Sequence, residues 1–359
     1  MTLFDPGLLV REDLKDMEPY EAYYAPGIIR MDANENPHDF PDEVKEYIFA
    51  QIGPQFFGRY PDSSAYGLVS DLAGYYGVEK ERILVGNGSD ELILNIMLAF
   101  GVGRKVFIAS PTFSMYGIHA RVAGAVPVNV PRGGNFEVEV DGMLKAAGDD
   151  TGVIIICNPN NPTGNATDPQ DIEKIARSVK SLVVVDEAYM EFGGVSSIPL
   201  LERHPNLLVM RTFSKAFGLA GLRVGYLLAS REVVSELRRI KQPFNVNSFS
   251  QAAARAALEF SELFQERIKR ILGDRADLDR RLKEIPGVKV YPSVANFLFF
   301  STEKPAEEVY RRLLDERVMI RFIRVPGRGD FLRVSVGTPH ENDVFIDKLM
   351  SILVAQPKF

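Results

Sequence analysis

The sequence predicts an α/β fold built on a mostly parallel, seven-stranded sheet, followed by a smaller α+β unit. Two observations predict it. Between about residues 42 and 250, seven short apolar runs alternate with amphipathic segments. The runs lack the apolar–polar alternation of a half-exposed strand, so helices must cover both faces of the sheet. In addition, four polar clusters each follow directly on an apolar run. That is where ligands gather in an open parallel sheet, beyond the carboxyl ends of its strands.

The seven strands are expected at 82–85, 105–109, 126–130, 153–157, 182–185, 207–211 and 224–229. Helices are expected between them at 89–100, 115–123, 168–179 and 231–240. A long helical region, rich in Ala, Leu, Glu and Arg, runs from 248 to about 284, long enough to leave one domain and enter another. Two further strands (296–301 and 331–336) and two helices (305–316 and 341–353) complete an α+β pattern. The expected organisation is therefore an N-terminal arm (1–30), a large domain (31–250) and a small C-terminal domain (251–359). The arm holds Pro6, Pro19 and Pro26 with Tyr20, Tyr23 and Tyr24, and reads as a segment packed on something else.

Composition narrows the function. Of 359 residues, 46% are hydrophobic and 25% charged, which is ordinary for a globular protein and long for a single core. A net charge of −6 argues against a nucleic-acid-binding face. One cysteine, Cys157, cannot form an internal disulfide, and it ends an apolar run as a buried thiol would. Four histidines and one cysteine leave no clustered His/Cys metal site. The N-terminus does not read as a signal peptide, and no apolar run approaches the roughly 18 residues of a membrane span. The expected location is the cytoplasm.

The polar clusters each have two readings. Gly86-Asn-Gly-Ser-Asp-Glu91 opens a helix with Ser89 as N-cap; its free N–H groups and helix dipole suit an anion, though an ordinary capped helix explains the same residues. Asn158-Pro-Asn-Asn-Pro-Thr-Gly164 reads as a turn, since Asn-Pro pairs initiate turns. Asp186, at a strand end, is either a helix cap or a desolvated carboxylate in need of a partner. Ser214-Lys215 closes the strand at 207–211 and leads through Gly218 and Gly221 to Arg223; a Ser-Lys pair by itself is more often a solvated turn. Phe113 suits a plain core position, and Tyr60 an exposed turn. Arg333 lies inside the apolar strand Phe331-Leu-Arg-Val-Ser-Val-Gly337, and a buried arginine needs an anion.

Taken together, Arg211-Thr-Phe-Ser-Lys-Ala-Phe-Gly-Leu-Ala-Gly-Leu-Arg-Val-Gly225 and Asn158-Pro-Asn-Asn-Pro-Thr-Gly164 resemble the signatures of fold-type I pyridoxal-phosphate (PLP) aminotransferases. The resemblance covers nearly the whole chain. It implies that Lys215 holds PLP as a Schiff base and then serves as the base for the proton shift. It implies that the Gly88-Ser89-Asp90 turn, Ser214 and Arg223 cradle the phosphate, with a guanidinium fork that lysine could not match. Asn161 and Tyr189 would meet the phenolic oxygen, Asp186 the protonated pyridine nitrogen, and Phe113 the ring face. Tyr60, in Arg59-Tyr-Pro-Asp62, would reach the cofactor phosphate of a neighbouring subunit, implying a homodimer with shared sites. Arg333 would hold an acidic group of the substrate.

Within that family the chain resembles most the histidinol-phosphate aminotransferases, through Met31-Asp-Ala-Asn-Glu-Asn-Pro37 with Asn36, and through Tyr20 and Arg321 at positions that meet the substrate phosphate. The implied reaction moves an amino group from histidinol phosphate to 2-oxoglutarate, a step of histidine biosynthesis, with small-molecule amino donor and 2-oxo acid as partners. His38-Asp-Phe-Pro41 departs from the small, Gly-containing turn common after the signature. Phe322, with Arg324 and Arg328 nearby, departs from the polar residue common after the phosphate arginine. Three alternatives share parts of this pattern: an aromatic amino-acid aminotransferase, a PLP lyase such as an O-phosphothreonine decarboxylase, and a transcription regulator with a degenerate aminotransferase domain. The last would need a helix-turn-helix segment and a basic face, and the sequence offers neither.

Overall fold

The computed structural model describes residues 4–19 and 26–354; Tyr20, Tyr23 and Tyr24 lie outside the described residues. All seven expected strands of the large sheet are present. Across the sheet they run Ile83–Asn87, Val224–Leu228, Leu207–Thr212, Leu182–Asp186, Thr151–Cys157, Lys105–Ser110 and Val126–Pro131. Every neighbour pair is parallel except those made by Val224–Leu228, which runs antiparallel to both strands beside it. The six like-directed strands therefore end at one edge, and the reversed strand begins there.

Alternation is present in these strands, but between two apolar faces. Ile83, Val85, Phe107, Ile154, Ile156, Val183, Val185 and Val209 enter one core, whereas Leu84, Val106, Ile108, Val153, Ile155, Val184, Leu208 and Met210 enter the other. A period of two with both partners apolar reads in sequence as an unbroken run.

Helices Met115–Ala123 and Arg231–Ile240 occupy the expected residues. Pro169–Ser178 is capped by Asp168, whose carboxylate accepts from the Gln170 N–H at 2.8 Å. Two expectations need correction. The helix after the first strand starts at Gly88, with Asn87 at the cap position and Ser89 inside the first turn, and it ends in a π-turn, Met97–Gly101. The strand runs straight into the helix, so Ser89 already lies within the helix and the cap position falls to Asn87, whose N–H donates to the Glu91 carboxylate. The region 248–284 is two helices, Ser248–Glu259 and Ser261–Lys283, broken at Phe260, whose ring packs edge-on against Tyr47 at 5.2 Å. The second of them spans two cores: Phe264, Ile268 and Ile271 pack with the large sheet, Leu278 and Leu282 with the C-terminal elements.

A four-stranded antiparallel sheet follows, in the order Arg321–Val325, Gly329–Ser335, Phe297–Thr302, Val288–Tyr291. Helices Ala306–Asp315 and Pro339–Val354 pack on one of its faces through Val309, Leu313, Phe345 and Leu349. Its other face presents Phe299 and Phe331 to Phe136, a residue of the turn that follows the large sheet's edge strand. The segment Ile29–Arg30 pairs with Val318–Met319, and Met31 joins the small sheet's core. These contacts bring the stretch after Met31 between the two sheets.

Candidate active site

The carboxyl edge of the large sheet, the stretch 32–34 and the strands Arg321–Val325 and Gly329–Ser335 enclose a cavity of about 870 Å³. Ser89, Asp90, Phe113, Asn161, Asp186, Tyr189, Ser214, Lys215, Arg223, Arg321 and Arg333 all line it. Those from the large sheet meet here because each follows one of its strands or precedes the one strand that runs backwards, whereas Arg321 and Arg333 come from strands of the small sheet. Arg223 is the clearest case: it stands just before Val224–Leu228, so strand reversal brings it to the same edge.

Lys215 points its Nζ at the Ala33 carbonyl, donating at 2.7 Å. Desolvation, then repulsion from Arg333, lowers its pKa from the ordinary 10.5 to about 8. The amine is partly exposed to the cavity yet shielded from bulk water. Asp186 is almost fully buried at its strand end. Its Oδ2 accepts from the Tyr116 hydroxyl at 2.7 Å and its Oδ1 from the Ala188 N–H at 3.1 Å. Burial nevertheless pushes its pKa up to about 6, because the groups acting on it are two donors and further carboxylates, with no cation among them.

Arg333 donates through Nη2 to the Asp32 carbonyl and through Nη1 to Asn161 Oδ1, with its guanidinium 5.3 Å from the centre of the Phe297 ring. The Tyr189 hydroxyl accepts from Asn34 Nδ2 at 3.0 Å, and its ring packs edge-on against Phe297 at 5.1 Å. Burial raises the Tyr189 pKa, so the phenol stays protonated at neutral pH. Phe113 meets Tyr116 edge-on at 5.5 Å.

At the far end of the cavity, Arg223 pairs with Asp90 at 3.0 Å. Two glycines make this corner possible. Gly88 has φ +78°, and a Cβ there would lie 2.7 Å from Arg223 Nη2; a Cβ on Gly225 would lie 2.5 Å from the Ser89 N–H nitrogen. The turn and the reversed strand thus approach closely enough that a side chain at either glycine would not fit.

Two predicted site residues are placed elsewhere. Asn36 does not line the cavity; its amide donates to the Ala216 carbonyl at 3.0 Å and accepts from the His38 N–H, tying its segment to the residue after Lys215. Tyr60 is 81% exposed and stacks on Phe244 at 4.7 Å, away from the cavity of its own chain. Tyr20 lies outside the described residues. Arg328 does reach the cavity wall, donating to the Arg132 and Gly133 carbonyls, and Arg324 pairs with Asp330 and Glu307. Cys157 is a buried thiol, as expected; its Sγ lies 3.3 Å from the Pro159 carbonyl and burial pushes its pKa up to about 12.

Sequence reasoning missed two residues. Tyr116 reads as one more apolar residue of an amphipathic helix. Asn34 takes φ +53° and bridges Tyr189 to Ser335, whose hydroxyl it bonds through both its backbone N–H and its Oδ1. An asparagine within Ala-Asn-Glu-Asn, a type tolerant of the left-handed region, was the available signal.

A profile of aminotransferase class I and II matches residues 26–349. The histidinol-phosphate aminotransferase of Thermoanaerobacter sp. (strain X514) is 41% identical over 349 residues, covering 96% of this chain and 99% of that protein. That of Thermococcus gammatolerans is 38% identical over the same share of this chain. Among solved structures, the histidinol-phosphate aminotransferase of Sinorhizobium meliloti in complex with pyridoxal-5'-phosphate superposes with a TM-score of 0.86 at 26% identity, covering 99% of this chain and 98% of that one. The same likeness over fold, length and profile leads to one conclusion: this chain belongs to the aminotransferase class I and II family.

Proposed function

We propose that this protein is a PLP-dependent aminotransferase that moves the amino group of histidinol phosphate to 2-oxoglutarate, yielding imidazole-acetol phosphate and glutamate in histidine biosynthesis. The observation that carries the reading is one cavity holding a lysine amine of lowered pKa together with a buried carboxylate that has no ion-pair partner among the described residues.

The residues fit the cofactor. The corner kept open by Gly88 and Gly225 offers amides, Ser89, Ser214 and Arg223 to a phosphate. Asp186 is shaped to hold a protonated ring nitrogen, a charge partner that its burial calls for. Asn161 and Tyr189, both on the cavity wall, would meet a phenolic oxygen, and Phe113 would offer a ring face. When bound, PLP supplies the electron sink that makes the amino donor's C–H proton removable.

The chain's own part in the reaction is binding and proton transfer. Lys215 Nζ, half-deprotonated near pH 8, is suited to attach the cofactor and later to lift and return the proton. Arg333, fixed by Asp32 and Asn161, orients an acidic group beside it. Arg321 sits directly opposite Arg333 on the same face of the small sheet, which suits a dianionic phosphate.

Tyr60 serves the site of a second copy in a homodimer on this reading. Its support is the exposure of Tyr60 itself, on a segment where Phe57 and Tyr66 are exposed as well. Among the described residues no helix is long and apolar enough to cross a membrane. With its lone thiol buried, the chain suits the reducing cytoplasm.

Borohydride reduction of the holoenzyme followed by peptide mapping tests the assignment. A cofactor label on Lys215 is expected. A label on another lysine would overturn it.

A further inference from the structure

We infer that Tyr116 is a positioning residue for Asp186, setting through its hydroxyl how firmly the carboxylate holds a proton on the cofactor ring. The inference rests on the reading of Asp186 given above.

Geometry supports it from three sides. Tyr116 is completely buried, on the first turn of helix Met115–Ala123, which packs behind the sheet. Its hydroxyl donates to Asp186 Oδ2 at 2.7 Å, the length of a charge-assisted bond. The carboxylate's other donor is the Ala188 N–H, longer at 3.1 Å, so Tyr116 is the nearer of two. Its ring meanwhile meets Phe113 edge-on at 5.5 Å. One side chain thus touches both the carboxylate assigned to the ring nitrogen and the phenylalanine assigned to the ring face.

The consequence follows from where the proton prefers to sit. Asp186 is buried enough that desolvation favours its neutral form, and the Tyr116 hydroxyl opposes that by stabilising the anion. Without the hydroxyl, the proton shared between Asp186 and the ring moves toward Asp186. The ring nitrogen then holds less charge, and the cofactor becomes a poorer electron sink. Binding of substrates, which involves Arg321 and Arg333 on the other side of the cavity, is left alone.

Tyr116→Phe tests this because it removes one oxygen and keeps the ring that packs on Phe113. The holoenzyme should lose about ten- to a hundredfold in kcat with little change in KM. The nitrogen-15 resonance of bound, ring-labelled PLP should move toward the unprotonated pyridine position. In an Asp186→Asn background the same substitution should change neither quantity further. Placing 3-fluorotyrosine at position 116 keeps the hydroxyl and makes it a stronger donor, so the resonance should move the opposite way. Wild-type kcat and an unmoved resonance in Tyr116→Phe, with Asp186→Asn altering both, would dismiss Tyr116 and leave the role of Asp186 standing. An unmoved resonance in Asp186→Asn itself would overturn both.

Discussion

Arg321 and Arg333 stand directly opposite each other in the antiparallel pairing of Arg321–Val325 with Gly329–Ser335, two guanidinium groups on one face of the sheet. Like charges so placed repel, and both residues line the cavity. An anion between them relieves the repulsion, and a dianion does so better than a carboxylate. Arg321→Ala should therefore cost about ten- to a hundredfold in kcat/KM for histidinol phosphate and less for glutamate. Arg333→Ala should impair both, because that arginine also holds Asn161. Initial-rate measurements with the two donors check this; equal losses in Arg321→Ala would speak for an aromatic amino-acid aminotransferase.

Lys215 gives a pH signature. With its pKa near 8, the rate at which cofactor-free protein takes up PLP should climb up to about pH 8 and level off above it. An ordinary lysine would still be gaining at pH 10. Stability carries the same signature. Between about 8 and 10.5 the unfolded chain binds the extra proton, so the stability of the cofactor-free protein should rise with pH across that window. The unfavourable contribution is fully present below it. Lys215→Ala should abolish both trends, read by visible absorbance and by denaturant titration.

The sheet edge was largely legible in sequence because each strand is a run of apolar residues ended by a polar cluster, as at Val153–Cys157 with Asn158 and at Leu182–Val185 with Asp186. Where the two faces of a strand are both buried, the run itself reports the strand. Other parts were hidden for identifiable reasons. The strand Arg321–Val325 mixes two arginines with apolar residues, since half its length faces solvent or cavity. The break at Phe260 has no Gly or Pro to mark it in the sequence. The hydroxyl of Tyr116 matters only because its helix packs behind Asp186, a fact of tertiary structure that helical periodicity cannot report.

A structural ion cluster next to the site offers a test of stability separate from catalysis. Arg211 is buried between Glu187 and Glu191, at 2.7 and 3.0 Å, and Glu187 also accepts from the Ser197 N–H at 2.6 Å. Arg211→Met would strand two buried carboxylates. It should cost roughly 3–5 kcal/mol of stability, whereas the double change with Glu187→Gln should recover part of the loss. Urea titration of the three proteins checks the order.

Subunit exchange tests Tyr60. Tyr60→Ala and Lys215→Ala homodimers should each be impaired. Mixed dimers would regain activity at one site that has both residues intact. Verified exchange without recovery would count against a site shared between copies.

The most direct test of the function is a comparison of amino donors with the purified holoenzyme and 2-oxoglutarate, following glutamate formation at initial rate. The kcat/KM for histidinol phosphate should lie well above that for phenylalanine, by at least the roughly tenfold that one charge-assisted contact is worth. A preference for phenylalanine, or release of carbon dioxide in place of amino transfer, would contradict it.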